Sequence, residues 1–225
     1  MANDLKKFLD ATKTGSRLIG DVERHLLKQP RSNRRTDVLH PSEIIKPDWC
    51  HRYSYYLLNG GEPKTEKPSL RLQNIFDEGH AIHAKWQKRF QSMGVLYGKF
   101  KCMNCKQITF GISPSNCHEC NSALMEYDEV ALYDESLRLA GHTDGWIKGI
   151  GNDCLIEIKS IGAGTFRWEA PELLMANDND ITKAFKSIRR PFRSHLLQGQ
   201  MYLELVRRMH PDEIVPREIV FIYEL

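Results

Sequence analysis

GHTDGWIKGIGNDCLIEIKS, Gly141 to Ser160, decides the fold of this chain. Two apolar arms flank a turn signal, Gly149-Ile150-Gly151-Asn152. Glycine and asparagine tolerate the positive φ angles that a tight hairpin needs. Pairing the arms symmetrically about Ile150 and Gly151 sets Asp144 opposite Glu157, because the two are equidistant from the centre. Directly opposed residues share a face, with Cβ atoms about 4.5–5.5 Å apart. Two carboxylates that close repel, and one pKa rises. A hard cation such as Mg²⁺, at about 2.0–2.1 Å from each oxygen, removes that penalty. Strand alternation puts Lys159 on the face of Glu157 and turns Cys154, Ile156 and Ile158 the other way, toward a core. An amine beside the ion orients water and stabilises the anionic transition state of phosphodiester cleavage. A slip of one residue would send one carboxylate to the wrong face. The bland alternative is a solvent-facing hairpin with a Glu/Lys pair, and the apolar flanks of CLIEIKS argue against it.

Outward from this hairpin, strands are expected over residues 126–133, 137–148 and 153–160, with a last strand over 217–225. Upstream, Ser69 reads as the N-cap of a long helix. Its apolar stripe runs Leu72, Ile75, Phe76, Ile82, Trp86, Phe90, and His83 lies on that stripe. Helical patterns also fall over 181–187 and 193–209, after an irregular stretch to about Asp178. Nearer the start, Leu5, Phe8 and Leu9, then Leu18, Ile19, Val22 and Leu26, predict one or two helices before Gln29. PRSNRR, residues 30–35, reads as a polar basic loop. PSEIIKPDWCHRYSYYLL reads as a short helical stretch broken by Pro47, and residues 60–69 as a loop or hinge.

These residues resemble a known family. GHTDG followed by LIEIKS is similar to the D…ExK core of the PD-(D/E)XK nuclease superfamily. GHAIH, with His83, is similar to the GxxxH helix of its RecB-type branch, which includes CRISPR-associated exonucleases. QGQMY, with Gln198 and Tyr202, is similar to that branch's QxxxY helix. The four motifs stand in the family's order over about residues 41–225, and the whole looks most like exonucleases of actinobacterial bacteriophages. The resemblance implies an α/β fold, a central mixed sheet flanked by helices, and a metal-dependent DNA exonuclease acting at linear ends. It implies that His83, Asp144, Glu157 and the Ile158 carbonyl ligate a catalytic Mg²⁺ or Mn²⁺. Lys159 would position the attacking water, and Gln198 and Tyr202 would hold the lysine and the DNA backbone. It also implies a role in phage recombination, replication or repair, with DNA as partner and a single-strand annealing or recombination protein as a further one. The alternatives are a structure-specific endonuclease with the same site, and a non-catalytic DNA-binding or assembly module. His80 and His195 flank the motifs and are candidates for supporting roles, against ordinary surface histidines.

Between the helix and the hairpin lie Cys102, Cys105, Cys117 and Cys120, two CxxC pairs separated by eleven residues. That spacing suits a closed tetrahedral thiolate site for structural Zn²⁺. We expect a zinc ribbon inserted over residues 99–125, with an iron–sulfur cluster there as the minor alternative. Many RecB-type relatives instead hold an iron–sulfur cluster with one cysteine before the GxxxH helix and three after the QxxxY helix. Cys50 matches the first position, but no cysteine follows Cys154. That cluster is not expected, and Cys50 is expected as a buried thiol. The chain stops 23 residues after Tyr202, so a C-terminal piece found in relatives is expected to be absent.

At 225 residues the chain has room for one main domain and an appendage. The domain organisation expected is a helical and basic segment over 1–40 and a nuclease domain over 41–225. Thirty-two basic against 29 acidic residues give a net charge of +3, which permits a basic groove without requiring one. Residues 31–35, 183–193 and 207–208 are the candidate phosphate contacts, against plain solvated surface. No apolar run reaches the length of a membrane span, and MANDLKKFLDATKTG has no apolar signal core. The cytoplasm, a host's if phage-encoded, is the expected location.

Overall fold

A computed structural model describes residues 17–28, 35–62, 68–211 and 213–225. The chain divides into two compact units, Met1–Arg35 with Lys64–Asp77, and Thr36–Pro63 with Glu78–Leu225. In the first, α1 (Arg17–Lys28) shows Leu18, Ile19 and Val22 exposed. The helix expected around Leu5, Phe8 and Leu9, and most of the basic loop at 30–35, lie outside the described residues.

The second unit carries α2 (Pro41–Ile44) and α3 (His51–Leu58), on either side of Pro47. The long helix α4 (Leu70–Ser92) starts in the first unit and runs into the second. The Ser69 hydroxyl accepts the Leu72 N–H at 3.3 Å, the N-cap that its position predicts. The strands β1 (Leu96–Cys102), β2 (Ile108–Ile112), β3 (Met125–Asp128), β4 (Val130–Asp134), β5 (Leu139–Thr143), β6 (Gly145–Ile147) and β7 (Cys154–Ser160) follow. Then come α5 (Ala163–Glu169), α6 (Pro171–Met175), α7 (Ile181–Lys186), α8 (Arg193–Met209) and β8 (Glu218–Glu224).

The architecture is α/β. The central sheet runs β2-β1-β6-β7-β8, and β3 also pairs with β1. It is mixed: β6 and β7 are antiparallel, while β7 and β8 are parallel. A parallel pair needs a long crossover, and α5 to α8 provide it. β4 and β5 form a separate two-stranded sheet. The expected continuous strand over 137–148 therefore breaks at Asp144, where the chain leaves one sheet for the other. The strand expected over 126–133 likewise divides, at Glu129, into β3 and β4.

Two further expectations need correction. The stretch read as irregular before Asp178 contains α5 and α6. They are 7 and 5 residues long, with Pro171 opening the second, too short to repeat an apolar spacing. The cysteine segment is also less separate than an insert over 99–125 suggests. β1 starts before it, and Leu96–Tyr97 pair with β6 while Lys99–Cys102 pair with β3. One strand thus belongs to the ribbon and to the central sheet.

β7 separates two cores. Leu96, Phe100, Ile147 and Ile156 pack on one face, joined by Cys102, Cys117 and Phe90 of α4. Trp146 and Leu155 pack on the other, with Leu132 and Leu139 and with Tyr202, Leu205 and Val206 of α8. Burial on both faces explains why CLIEIKS is apolar apart from its charged pair.

Candidate active site

The turn that sets the hairpin register has Gly149 at φ 88° and Gly151 at φ 60°, a region glycine enters without steric cost. Beyond it Ile147 faces Cys154, Trp146 faces Leu155 and Gly145 faces Ile156. One step further the same register sets Asp144 against Glu157. The Ile158 N–H donates to Asp144 Oδ2 at 2.5 Å, which pins the aspartate to the partner strand. Thr143, buried beside it, donates its hydroxyl to the carbonyls of Ile156 and Gly145 at 3.0 and 3.1 Å. These contacts hold the chain where it changes sheets.

His83 comes from α4, with Nδ1 3.1 Å from Asp144 Oδ1. Burial lowers its basicity, but the hydrogen bond and charge of Asp144 outweigh this and hold its pKa above the ordinary value. Glu157 is 2% exposed. Burial, then the charge of Asp144, pushes its carboxyl up to about 8, against the opposing pull of Lys159. Lys159 Nζ donates to Glu157 Oε1 at 2.6 Å and to Gln198 Oε1 at 3.1 Å. Gln198 Nε2 donates to the Tyr202 hydroxyl at 2.8 Å. Gln198 and Tyr202 lie one turn apart on α8 and are both buried. The chain from Tyr202 through Gln198 to Lys159 and Glu157 fixes which end of the amide meets the amine. The lysine keeps one of its three N–H donors for another acceptor. The side chains of His83 and Lys159 are 28% and 23% exposed, so solvent reaches the site between them.

These contacts form two sets, His83 with Asp144 and the Ile158 N–H, and Glu157 with Lys159, Gln198 and Tyr202, joined through the backbone of β7. The residues present suit a divalent ion: one imidazole, buried carboxylates, and a Glu157 Oε2 that is buried with no hydrogen-bond partner. Sequence reasoning missed Glu129. Its carboxylate, His83 and Asp144 offer ligand atoms within 4.8 Å of one another. Gln87, one turn beyond His83, donates to Glu129 Oε1 at 3.0 Å and to the Asp144 carbonyl at 2.9 Å. Burial and the charge of Asp144 raise the Glu129 pKa. A single glutamate between two strands, in the run YDEVAL, carries no sequence signal that separates it from surface acids.

Of the flanking histidines, His80 is exposed. His195 is buried on α8, with Nδ1 2.7 Å from the Tyr223 hydroxyl, which also accepts the Phe192 N–H at 2.9 Å. Tyr223 is the β8 residue paired with Lys159. Burial, then the Lys159 charge, drives the His195 pKa down to about 4. Lys183, Lys186, Arg189, Arg190 and Arg193 are exposed. Arg207 and Arg208 are taken up by Glu204, and Arg208 also by Asp134.

The four cysteines form a second centre. Sγ atoms of Cys102 and Cys120 are 3.6 Å apart, as are those of Cys105 and Cys117, and all four lie within 4.8 Å of one another. A tetrahedron with Zn–S bonds of about 2.3 Å has edges of about 3.8 Å, so the group is compatible with zinc. The Cys105 backbone N–H leads the donors that hold the Cys102 thiol down to about 6, toward the thiolate a metal binds. Cys50, expected to be buried, is exposed: it occupies the N-cap position of α3, where the chain turns in solvent.

Among the described residues no helix is long and apolar enough to cross a membrane. Comparison with family models, curated proteins and solved structures gave no match to this chain.

Proposed function

We propose that this chain is a divalent-metal-dependent deoxyribonuclease of the RecB-type PD-(D/E)XK kind, hydrolysing phosphodiester bonds at DNA ends. One observation carries the reading: Lys159 is held between Glu157 and Gln198, beside a buried Asp144 that contacts His83. A structural lysine pairs with one carboxylate and extends into solvent. Here a glutamine, itself locked by Tyr202, takes a second N–H and aims the amine into the cluster.

His83, Asp144 and Glu157, with the Ile158 carbonyl, would hold Mg²⁺ or Mn²⁺. When bound, the ion supplies positive charge next to the scissile phosphate and makes water more acidic. The chain's own groups do the rest. Lys159 orients the attacking water through its remaining N–H and offsets negative charge on the phosphate. Gln198 and Tyr202 keep the amine from swinging away. Hydrolysis adds the elements of water across one P–O bond. The exposed basic residues over 183–193, just before α8, supply phosphate contacts whose grip weakens with salt. The four-cysteine ribbon is structural.

The test is degradation of end-labelled linear DNA, single- and double-stranded, with Mg²⁺, Mn²⁺ or EDTA. Loss of linear DNA only with a divalent ion, and survival of closed circular DNA, supports an exonuclease. Cutting of the circle makes it an endonuclease with the same site. No cleavage by folded, zinc-loaded protein would sink the enzyme reading and leave a DNA-binding module.

A further inference from the structure

We propose that Glu129 is a ligand of the catalytic divalent ion, supplied from outside every recognisable motif, and that Gln87 positions it. The inference rests on the metal-dependent reading above and extends its ligand set.

In an octahedral site with bonds of about 2.1 Å, adjacent ligand atoms lie about 3.0 Å apart and opposite ones about 4.2 Å. His83 Nδ1 and Asp144 Oδ1 are 3.1 Å apart, the adjacent spacing. A Glu129 oxygen completes a triad whose ligand atoms all lie within 4.8 Å of one another, near the opposite spacing of such a site. Asp144 Oδ2 is occupied by the Ile158 N–H, which leaves Oδ1 toward His83 and Glu129. Gln87 reinforces the arrangement by gripping Glu129 Oε1 and the Asp144 carbonyl at once, from the turn of α4 after His83. Glu129 Oε2 has no such bond and is free to turn to the ion.

An independent feature points to a ligand on the neighbouring strand position. Glu157 Oε2 is buried without a partner, on the strand position opposite Asp144. A buried carboxyl oxygen left without a partner is costly, and a nearby cation would satisfy it. The clustered ligand set is therefore His83, Asp144 and Glu129, of which the motifs name only the first two.

The substitution Glu129→Gln separates a ligand from a structural acceptor. Its Oε1 still accepts from Gln87, but its charge and its second oxygen are gone. Mn²⁺ binding to the full chain, measured by calorimetry and by electron paramagnetic resonance of free Mn²⁺, is expected to weaken tenfold or more in E129Q. Asp144→Asn is expected to do the same, Glu129→Asp to fall between, and Lys159→Ala to bind Mn²⁺ no more weakly than wild type. The metal-free melting temperature of E129Q should equal or exceed that of wild type, because like charges are removed. Mn²⁺ affinity within twofold of wild type in E129Q, with D144N weakened, overturns the Glu129 assignment and leaves the metal site standing. Absence of Mn²⁺ binding in wild type overturns both.

Discussion

His195 shows how one residue's environment fixes its charge. It lies behind Lys159, against Tyr223, on the helix that carries Gln198. Its pKa falls to about 4 in the fold, against about 6.5 in an unfolded chain. At pH 7 it is neutral in both states and costs nothing. As pH falls from about 6.5 toward 4, the unfolded chain takes up the proton first and the folded state loses stability. The loss approaches about 3 kcal/mol as an upper bound. Thermal unfolding at pH 7 and pH 4 should therefore show a smaller acid loss in His195→Gln than in wild type. An equal loss would mean that His195 titrates normally. Among single residues, Asp144, Glu157 and Lys159 were legible because strand alternation and a symmetric turn dictate which residues share a face. Glu129, proposed here as a ligand, was not, because only the fold brings Gln87 and His83 of α4 against it. Cys50 misled, because cysteine's general preference for burial says nothing of a helix N-cap.

Elements place these residues by close approach of backbone to ring. α8 lies against β5 where Gly141 meets Tyr202, and a Cβ on Gly141 would fall 2.6 Å from Tyr202 Cε1. The ring cannot yield freely, since its hydroxyl holds Gln198. Gly141→Ala should cost about 1–3 kcal/mol by overpacking. It should also lower turnover more than it weakens metal binding, because Gln198 loses its brace while His83 and Asp144 keep theirs. Denaturant melts paired with kinetics and Mn²⁺ titration check this; unchanged turnover would show that the brace is dispensable. The long elements, α4 and α8, announced themselves by sustained periodicity and by Ser69. α5 and α6 did not, being shorter than the repeat that betrays a helix. β1 carries a weak strand signal because its buried positions, Leu96, Gly98, Phe100 and Cys102, include a glycine and a cysteine whose CxxC spacing is that of a metal knuckle.

Across the molecule, β1 links the four-cysteine group to the proposed active site. It pairs with β6, which leads back to Asp144, and with β2 and β3, which carry the ribbon. Cys102 and Cys117 pack in one cluster with Leu96, Phe100 and Ile156. Loss of zinc should therefore loosen the central sheet, not only the ribbon. Cys117→Ser, or a chelator strong enough to strip zinc, should lower the melting temperature by roughly 6–12 °C, the shift about 3 kcal/mol produces in a chain this size. Added Mg²⁺ should not restore it. A melt unchanged by zinc removal would mean that the ribbon folds on its hydrogen bonds alone. The patterns along the chain gave the succession of helices and strands, while the mixed sheet with flanking helices was expected from the family resemblance alone. The transfer of the chain between two sheets at Asp144 was not legible, because apolar alternation continues unbroken through the site.

The most direct test is Lys159→Ala beside wild type, with labelled linear DNA and Mn²⁺, measuring cleavage and DNA binding in the same samples. Cleavage should fall by at least a hundredfold, on the order expected for removing one transition-state contact, while DNA affinity and Mn²⁺ affinity hold. Equal cleavage by both proteins, or none by wild type, would contradict the assignment of Lys159 to the chemistry.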